Sequence, residues 1–211
     1  MDKTLYIICG RMGAGKDTVA KIIQDEIPGT STVSLAGPLK KAASELFEIP
    51  MEDLLSREGK KKPVPLACGK SVRQVLQILG TEVCRNINVD FWVEKAKSTI
   101  DKLFKDHDNV CITDARFLNE VHSFTGDGMY YDVYVIILRR AMDDSGNLKH
   151  ASEQGFYDIL EEYAFETIEK GGDWNGQFGS VQVSCVDNRA KTLEGLKDAI
   201  VEHVIRRGAV Q

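Results

Sequence analysis

The feature that most constrains this chain is nine residues long: Gly10-Arg11-Met12-Gly13-Ala14-Gly15-Lys16-Asp17-Thr18. It follows a short apolar run, Leu5-Tyr6-Ile7-Ile8-Cys9, and precedes a segment in which Val19, Ile22, Ile23 and Ile27 recur at helical spacing. Buried strand, glycine-rich turn and amphipathic helix in that order match G-x-x-x-x-G-K. In that loop backbone N–H groups converge on an anion at the positive end of a helix, and the lysine reaches the β- and γ-phosphates of a nucleotide. A plain glycine-rich turn with a solvated lysine would share the spacing but not need both flanks, and both are present here. Asp17 stands where Ser or Thr usually touches Mg²⁺. Either Thr18 takes that role or Asp17 holds the metal through water, and the sequence leaves both open.

The alternation continues downstream. Thr32-Val33-Ser34-Leu35, Val110-Cys111-Ile112-Thr113, Val133-Tyr134-Val135-Ile136-Ile137-Leu138 and residues 181–186 read as four more strands. Their near-continuous apolar character predicts a sheet covered on both faces. Between them, Leu39, Ala43, Leu46 and Phe47 share one helix face, and Val72, Val75, Leu76, Leu79 and Val83 another. The second helix opens on Ser71 and Gln74, a capping box. Asp90 caps a helix running to about residue 104, and Leu193, Leu196, Ile200 and Val204 mark the last. The expectation is an α/β chain: a mainly parallel five-stranded sheet with helices on both faces. Three stretches read as irregular: 56–69 with Lys60-Lys61-Lys62 and two prolines, the turn-rich 142–152, and the glycine-rich 171–179. No internal repeat or linker is visible, and 211 residues suit one domain.

Charge and cysteine usage narrow the partners. A formal net charge of -5 argues against a nucleic-acid polymer, which needs a basic face, while leaving mononucleotides open. Five scattered cysteines without a C-x-x-C pair favour reduced thiols in the cytoplasm. The histidines form no ligand-like cluster with them, so no structural zinc is expected. The first apolar run is too short for a signal peptide, and no run reaches the length of a membrane span.

In open α/β sheets ligands sit at the carboxyl ends of the strands, so the residues just after each apolar run carry the chemistry. After Thr113 come Asp114-Ala115-Arg116. An apolar strand ending in Asp fits a carboxylate that supports Mg²⁺, or alternatively a cap for the next helix. Arg116 can grip a phosphate bidentately. Arg139 and Arg140 follow Leu138 at the foot of an irregular segment and suit a lid over transferring phosphates. Lys60, Lys61 and Lys62 read as a solvated loop, His150 and His203 as surface residues, and Cys9, Cys111 and (by default) Trp92 as core.

Together these landmarks carry a family likeness. Gly15-Lys16-Asp17-Thr18, Leu35-Ala36-Gly37-Pro38-Leu39-Lys40, Ser71-Val72-Arg73, Leu79-Gly80-Thr81, Phe91-Trp92-Val93, Asp114-Ala115-Arg116 and Asn119-Glu120 occur in order over most of the chain. His150-Ala151-Ser152-Glu153 and Asn188 follow. The chain resembles the bacteriophage deoxynucleoside monophosphate kinases, and more loosely the adenylate-kinase and dephospho-CoA-kinase relatives. In that family Asp17 is the normal residue. The resemblance implies a P-loop NTPase three-layer, adenylate-kinase-like fold: a single domain over 1–211, with an acceptor-binding helical region at about 37–105 and a lid at about 139–156. It implies ATP as phosphoryl donor and Mg²⁺ as its metal. ATP phosphates would lie on Arg11, Gly13, Ala14, Gly15, Lys16, Asp17, Thr18 and Arg140, with Asp17, Thr18 and Asp114 on the metal. Lys40, Arg73 and Arg116 would grip the acceptor monophosphate. Gly80, Thr81, Trp92, Asp114 and Glu120 would shape the base and sugar pocket, which moves Trp92 from core to base contact. Lys16, Arg73, Arg116 and Arg139 would carry catalysis. A homodimer in the cytoplasm, the host's if phage-encoded, completes the family expectation.

Two departures stand out. The family places basic residues in the middle of the loop, where this chain has Met12 and Gly13 and its arginine earlier, at Arg11. Residues 153–180 look longer than the family's, with an added helix at about 157–168. The expected reaction is γ-phosphoryl transfer from ATP to a deoxynucleoside monophosphate. The alternatives are another small-molecule P-loop kinase, acting on dephospho-CoA or phosphomevalonate, and a nucleotide-binding module without turnover. The absence of an N-K-x-D motif speaks against a guanine-reading switch.

Overall fold

A computed structural model describes residues 3–11, 13–126, 129–139, 159, 173–178, 181–188 and 191–206. In chain order its elements are β1 (Thr4–Gly10), α1 (Lys16–Glu26), β2 (Ser31–Val33), α2 (Gly37–Phe47), α3 (Met51–Leu55), α4 (Val72–Gln77), α5 (Phe91–Leu103), β3 (Asn109–Ala115), α6 (Leu118–Thr125), β4 (Asp132–Arg139), β5 (Trp174–Phe178), β6 (Val181–Asp187) and α7 (Leu193–Ile200). Short 3-10 turns occupy Gly59–Lys61 and Pro65–Ala67, and π-helical turns extend α4 over Ile78–Arg85 and α7 over Val201–Ile205. The chain divides into two compact units, one of Met1–Val33 with Thr99–Gln211, the other of Ser34–Ser98.

The first unit is built on a six-stranded sheet in the order β2-β3-β1-β4-β6-β5. The four pairings among β2, β3, β1, β4 and β6 are all parallel, as the two-faced apolar runs predict. Tyr6, Ile8, Tyr134, Ile136, Leu138 and Val186 pack with Val19, Ile23, Leu196 and Ile200 of α1 and α7. Leu5, Ile7, Val133, Val135 and Ile137 alternate onto the other face and are just as buried. Each such aliphatic side chain, fully removed from water, stabilises the fold by about 1.5–3 kcal/mol.

The sixth strand corrects the expectation. Residues 174–178, inside the stretch read as a glycine-rich loop, form β5, antiparallel to β6 from Trp174↔Cys185 to Phe178↔Val181. Ladder hydrogen bonds to β6 satisfy its backbone whatever its composition, so Gly176 is tolerated opposite Val183. Near it His203, expected on the surface, has only 23% of its side chain exposed. Its Nδ1 lies 2.8 Å from the Asn175 amide, and its backbone carbonyl accepts from Ser184 Oγ at 2.9 Å.

The second unit is helical around Ala43, Ile49, Leu54, Val64, Val72 and Val75, with Phe47, Leu76 and Leu79 packed against them. The capping box at the start of α4 is present: Gln74 N–H donates to Ser71 Oγ at 3.3 Å and Ser71 N–H to Gln74 Oε1 at 2.8 Å. At α5 the Asp90 carbonyl accepts the Glu94 N–H, which puts Asp90 at the expected cap. Two expected core positions fall outside. Val83 is 43% exposed because the π-helical turn resets the helical phase after Gln77, and Leu46 in the last turn of α2 is 63% exposed. Leu193, the first residue of α7, is likewise exposed. In the lysine run Lys61 pairs with Glu58 at 2.8 Å and Lys62 with Asp53 at 2.7 Å. Both lysines stand in water, which screens these pairs and leaves them little weight in the fold. No helix among the described residues is long and apolar enough to cross a membrane.

Candidate functional site

The carboxyl ends of β1, β3, β4 and β6 lie side by side in the first unit, and the residues that follow them are the chemically loaded ones. After β1 the chain turns through Gly13 (φ +78°) and Gly15 (φ +100°), both in the left-handed region that favours glycine. Ala14 N–H closes this turn on the Arg11 carbonyl at 3.1 Å, and Val19 N–H bonds to the Gly15 carbonyl at 3.0 Å as α1 begins. The first N–H groups of α1 have no intrahelical partner, so the helix presents donors beside the loop.

Lys16 folds back over that loop. Its ammonium donates to the Gly10 carbonyl at 2.5 Å and to the Arg11 carbonyl at 2.9 Å, and the residue is 8% exposed. Burial first, then the positive charge of Arg116, lowers its pKa to about 8; Asp114, Cys9 and Asp17 oppose the shift. Lys16, Asp17, Asp114 and Arg116 therefore share one electrostatic neighbourhood. Cys9 and Cys111 are fully buried, and burial pushes both thiols up, Cys111 to about 12, which keeps them neutral core residues as expected.

Asp114 lies within β3, and the N-cap of α6 is Phe117, so the helix-cap alternative is excluded. The register of β1 on β3 slips between Ile7↔Ile112 and Cys9↔Ala115. Three steps along β3 match two along β1, a bulge at Thr113 and Asp114 that re-aims side chains beside the loop. Glu120, expected to shape the base and sugar pocket, is 5% exposed. Its Oε2 accepts the N–H of Arg116 at 2.8 Å and of Phe117 at 3.1 Å, so the carboxylate fixes the turn that carries Arg116.

Arg139 ends β4, where Gly10 pairs with Leu138 and Arg139 with Asp187. Arg140, the rest of the lid at 140–156, residues 150–153 and, apart from the helical and buried Ile159, the added helix at 157–168 lie outside the described residues, as does Met12. Sequence reasoning gave Asn188 no role beyond a landmark. Here its side-chain amide donates to the Ala14 carbonyl at 2.9 Å and its backbone N–H to the Arg139 carbonyl at 2.6 Å.

The remaining expected residues belong to the second unit. Lys40 stands half-buried in the first turns of α2, Arg73 half-buried in the first turn of α4, and Gly80 and Thr81 in the π-helical turn. Gly80 lies close to α2: a Cβ there would sit 2.7 Å from Leu39 Cδ2, so a larger residue obliges that side chain to shift. Trp92 is buried, stacks edge-on against Phe91 at 4.8 Å and donates its indole N–H to the Gly80 carbonyl at 2.9 Å. The indole thus anchors the Gly80 turn and has spent its one donor. Within this unit Leu39, Gly80 and Trp92 form one contact chain, flanked in sequence by Lys40 and Thr81.

For a divalent cation the chain offers hard oxygen donors: the exposed Asp17, the half-buried Thr18 and Asp114. Among the described residues no cluster of three His, Cys, Asp or Glu could hold a metal ion alone. Mg²⁺ does not require one, because it takes one or two carboxylates and completes its shell with water and substrate phosphates. The donor set fits Mg²⁺ on that pattern.

Comparison with known proteins bears out the resemblance read from the motifs. The family model for deoxynucleotide monophosphate kinases matches residues 67–161. That stretch contains Arg73, Gly80, Thr81, Trp92, Asp114, Arg116, Glu120 and Arg139 and leaves the glycine loop outside. A protein of Acanthamoeba polyphaga mimivirus named "Putative deoxynucleotide monophosphate kinase" is 29% identical over 198 residues, covering 87% of this chain and 96% of its own. Among solved structures, a dephospho-CoA kinase from Campylobacter jejuni aligns over 97% of both chains with 15% identity and a TM-score of 0.49. A thymidylate kinase from Candida albicans aligns over 98% of this chain and 93% of its own, with 10% identity and a TM-score of 0.42.

Proposed function

We propose that this chain, similar in sequence to the deoxynucleotide monophosphate kinases, is a nucleotide kinase that moves the γ-phosphoryl group of ATP onto the 5′-phosphate of a deoxynucleoside monophosphate. The products are ADP and a deoxynucleoside diphosphate. The observation that carries this reading is Lys16: a buried lysine in a glycine-rich loop, within electrostatic reach of Asp114 in the neighbouring strand β3 and of Arg116 just after it.

The residues supply what such a transfer needs. The transition state is loose, so the protein positions the phosphates and neutralises charge rather than making bonds to them. The Gly13–Thr18 N–H groups would hold the β- and γ-phosphates of ATP, with Lys16 exchanging its two carbonyl partners for phosphate oxygens. Arg116, its backbone clamped by Glu120, would compensate charge on the moving group, together with Arg139. Lys40 and Arg73 would hold the acceptor monophosphate, with Gly80, Thr81 and Trp92 near its base. Asp17, Thr18 or Asp114, together with substrate phosphates, would hold Mg²⁺, which would supply charge neutralisation for the transferring phosphates. No side-chain base is needed, because the acceptor phosphate is already an anion. The family likeness further carries the expectation of a homodimer, which light scattering tests.

The test is ADP release across dGMP, dTMP, dCMP, dAMP and dephospho-CoA. Acceptor-dependent release with at least one deoxynucleotide and none with dephospho-CoA is the expected result. Turnover of dephospho-CoA alone reassigns the acceptor, and ATP binding without any acceptor-dependent release makes the chain a non-catalytic binder.

A further inference from the structure

We infer that Asn188 is a positioning residue for the phosphate loop, setting the orientation of the Ala14–Gly15 peptide so that the Gly15 N–H faces the bound anion. The inference rests on the reading of that loop as the donor-phosphate site.

The argument is geometric. A trans peptide is planar, and its C=O and N–H point to opposite sides. Asn188 Nδ2 donates to the Ala14 carbonyl at 2.9 Å across 174 residues of sequence. Holding that carbonyl on the Asn188 side turns the Gly15 N–H, the other end of the same peptide, away from Asn188. Gly15 itself, at φ +100°, is a residue whose flanking peptides rotate easily, so an external hold has something to restrain. The approach is close: a Cβ on Gly15 would lie 3.2 Å from Asn188 Nδ2. The amide is itself anchored, because Asn188 N–H donates to the Arg139 carbonyl at 2.6 Å at the end of β4. One residue, through its backbone N–H and its side-chain amide, thus ties the ends of β6 and β4 to a single peptide of the loop after β1. Asparagine suits this position because it brings a strong donor without the negative charge that an aspartate would place beside a polyphosphate.

The experiment compares wild type, Asn188→Ala and Asn188→Leu. Leucine keeps the branched shape at Cγ and the backbone bond to Arg139, is somewhat larger, and removes the side chain's donor and acceptor. The probe is inorganic tripolyphosphate, read by calorimetry and by the Gly15 amide resonance, with the ATP and deoxynucleotide KM values alongside. The expected result is tripolyphosphate binding weakened at least tenfold in both variants and ATP KM raised in parallel. Acceptor KM stays within about twofold, Tm holds in Asn188→Leu, and the Gly15 amide shift seen on binding in wild type is lost. An Asn188→Leu protein that binds tripolyphosphate like wild type overturns the inference, as does an equal rise of both KM values. Should Asn188→Ala fail to fold, Asn188→Leu alone decides. Wild type that binds tripolyphosphate without acceptor-dependent turnover would sink the kinase reading while leaving this one standing; wild type that does not bind it sinks both.

Discussion

Lys16 holds its charge in a place that disfavours it. Burial lowers its pKa to about 8 from 10.5, so the folded state binds fewer protons than the unfolded chain between those values. Stability therefore rises with pH across that window, and the penalty is fully present below about pH 8. Relative to Lys16→Met, the wild type gains up to about 3 kcal/mol between about pH 7 and pH 10.5, since each tenfold loss of proton affinity corresponds to about 1.4 kcal/mol. An anion brought onto the loop reverses the effect by favouring the charged amine. ATP binding at about pH 9 is thus expected to take up a fraction of a proton, and affinity to fall as pH rises above 8. Calorimetry in buffers of different ionisation enthalpy reads the uptake, and its presence unchanged in Lys16→Met would remove Lys16 as the source. The same residue shows what sequence could reveal at this scale. The G-x-x-x-x-G-K spacing identified Lys16 and Asp114 lay where a strand end was expected, but Asn188 sits 174 residues from the carbonyl it holds. No local pattern encodes that contact. Nor could spacing tell that Glu120 turns its carboxylate onto two backbone N–H groups.

Among the elements, apolar runs buried on both faces were the most legible. The runs at residues 5–9, 110–113, 133–138 and 181–186 became β1, β3, β4 and β6, each extended by one to three residues. β5 is hard to read because its glycine content resembles a loop, although Gly179-Ser180 between two strand-length segments is a two-residue hairpin signal. The π-helical turn of Ile78–Arg85 is hard to read for another reason: an i→i+5 turn has the same composition as the α-helix it interrupts. Gly80 lets that turn approach Leu39 of α2, while Trp92 pins its carbonyl from α5. Gly80→Ala is expected to destabilise by about 1 kcal/mol, the cost of displacing the Leu39 side chain being partly offset by the better helix propensity of alanine. If Gly80 also borders the acceptor, the acceptor KM rises while the ATP KM stays put. A variant with wild-type Tm would mean that Leu39 has room to move, and the close approach would then not explain the glycine.

At the scale of the whole molecule, the proposed roles divide along the same line as the fold. The glycine loop, Asp114, Arg116, Arg139 and Asn188 belong to the unit formed by 1–33 and 99–211, whereas Lys40, Arg73, Gly80, Thr81 and Trp92 belong to 34–98. The family resemblance implied a helical region at about 37–105, and the structure shows that residues 34–98 pack around a core of their own, which no local sequence pattern announces. If that division is functional, each ligand protects its own set of amides, since binding slows exchange by suppressing local opening where contacts form. Hydrogen exchange with tripolyphosphate alone should slow amides of residues 13–19 and leave 71–82 nearly unchanged. Exchange with the best deoxynucleoside monophosphate alone should do the reverse. The two patterns are independent of turnover and of any mutation. Protection of the glycine loop by the monophosphate alone, with none at 71–82, would place the acceptor on the donor residues and undo the assignment of Lys40 and Arg73.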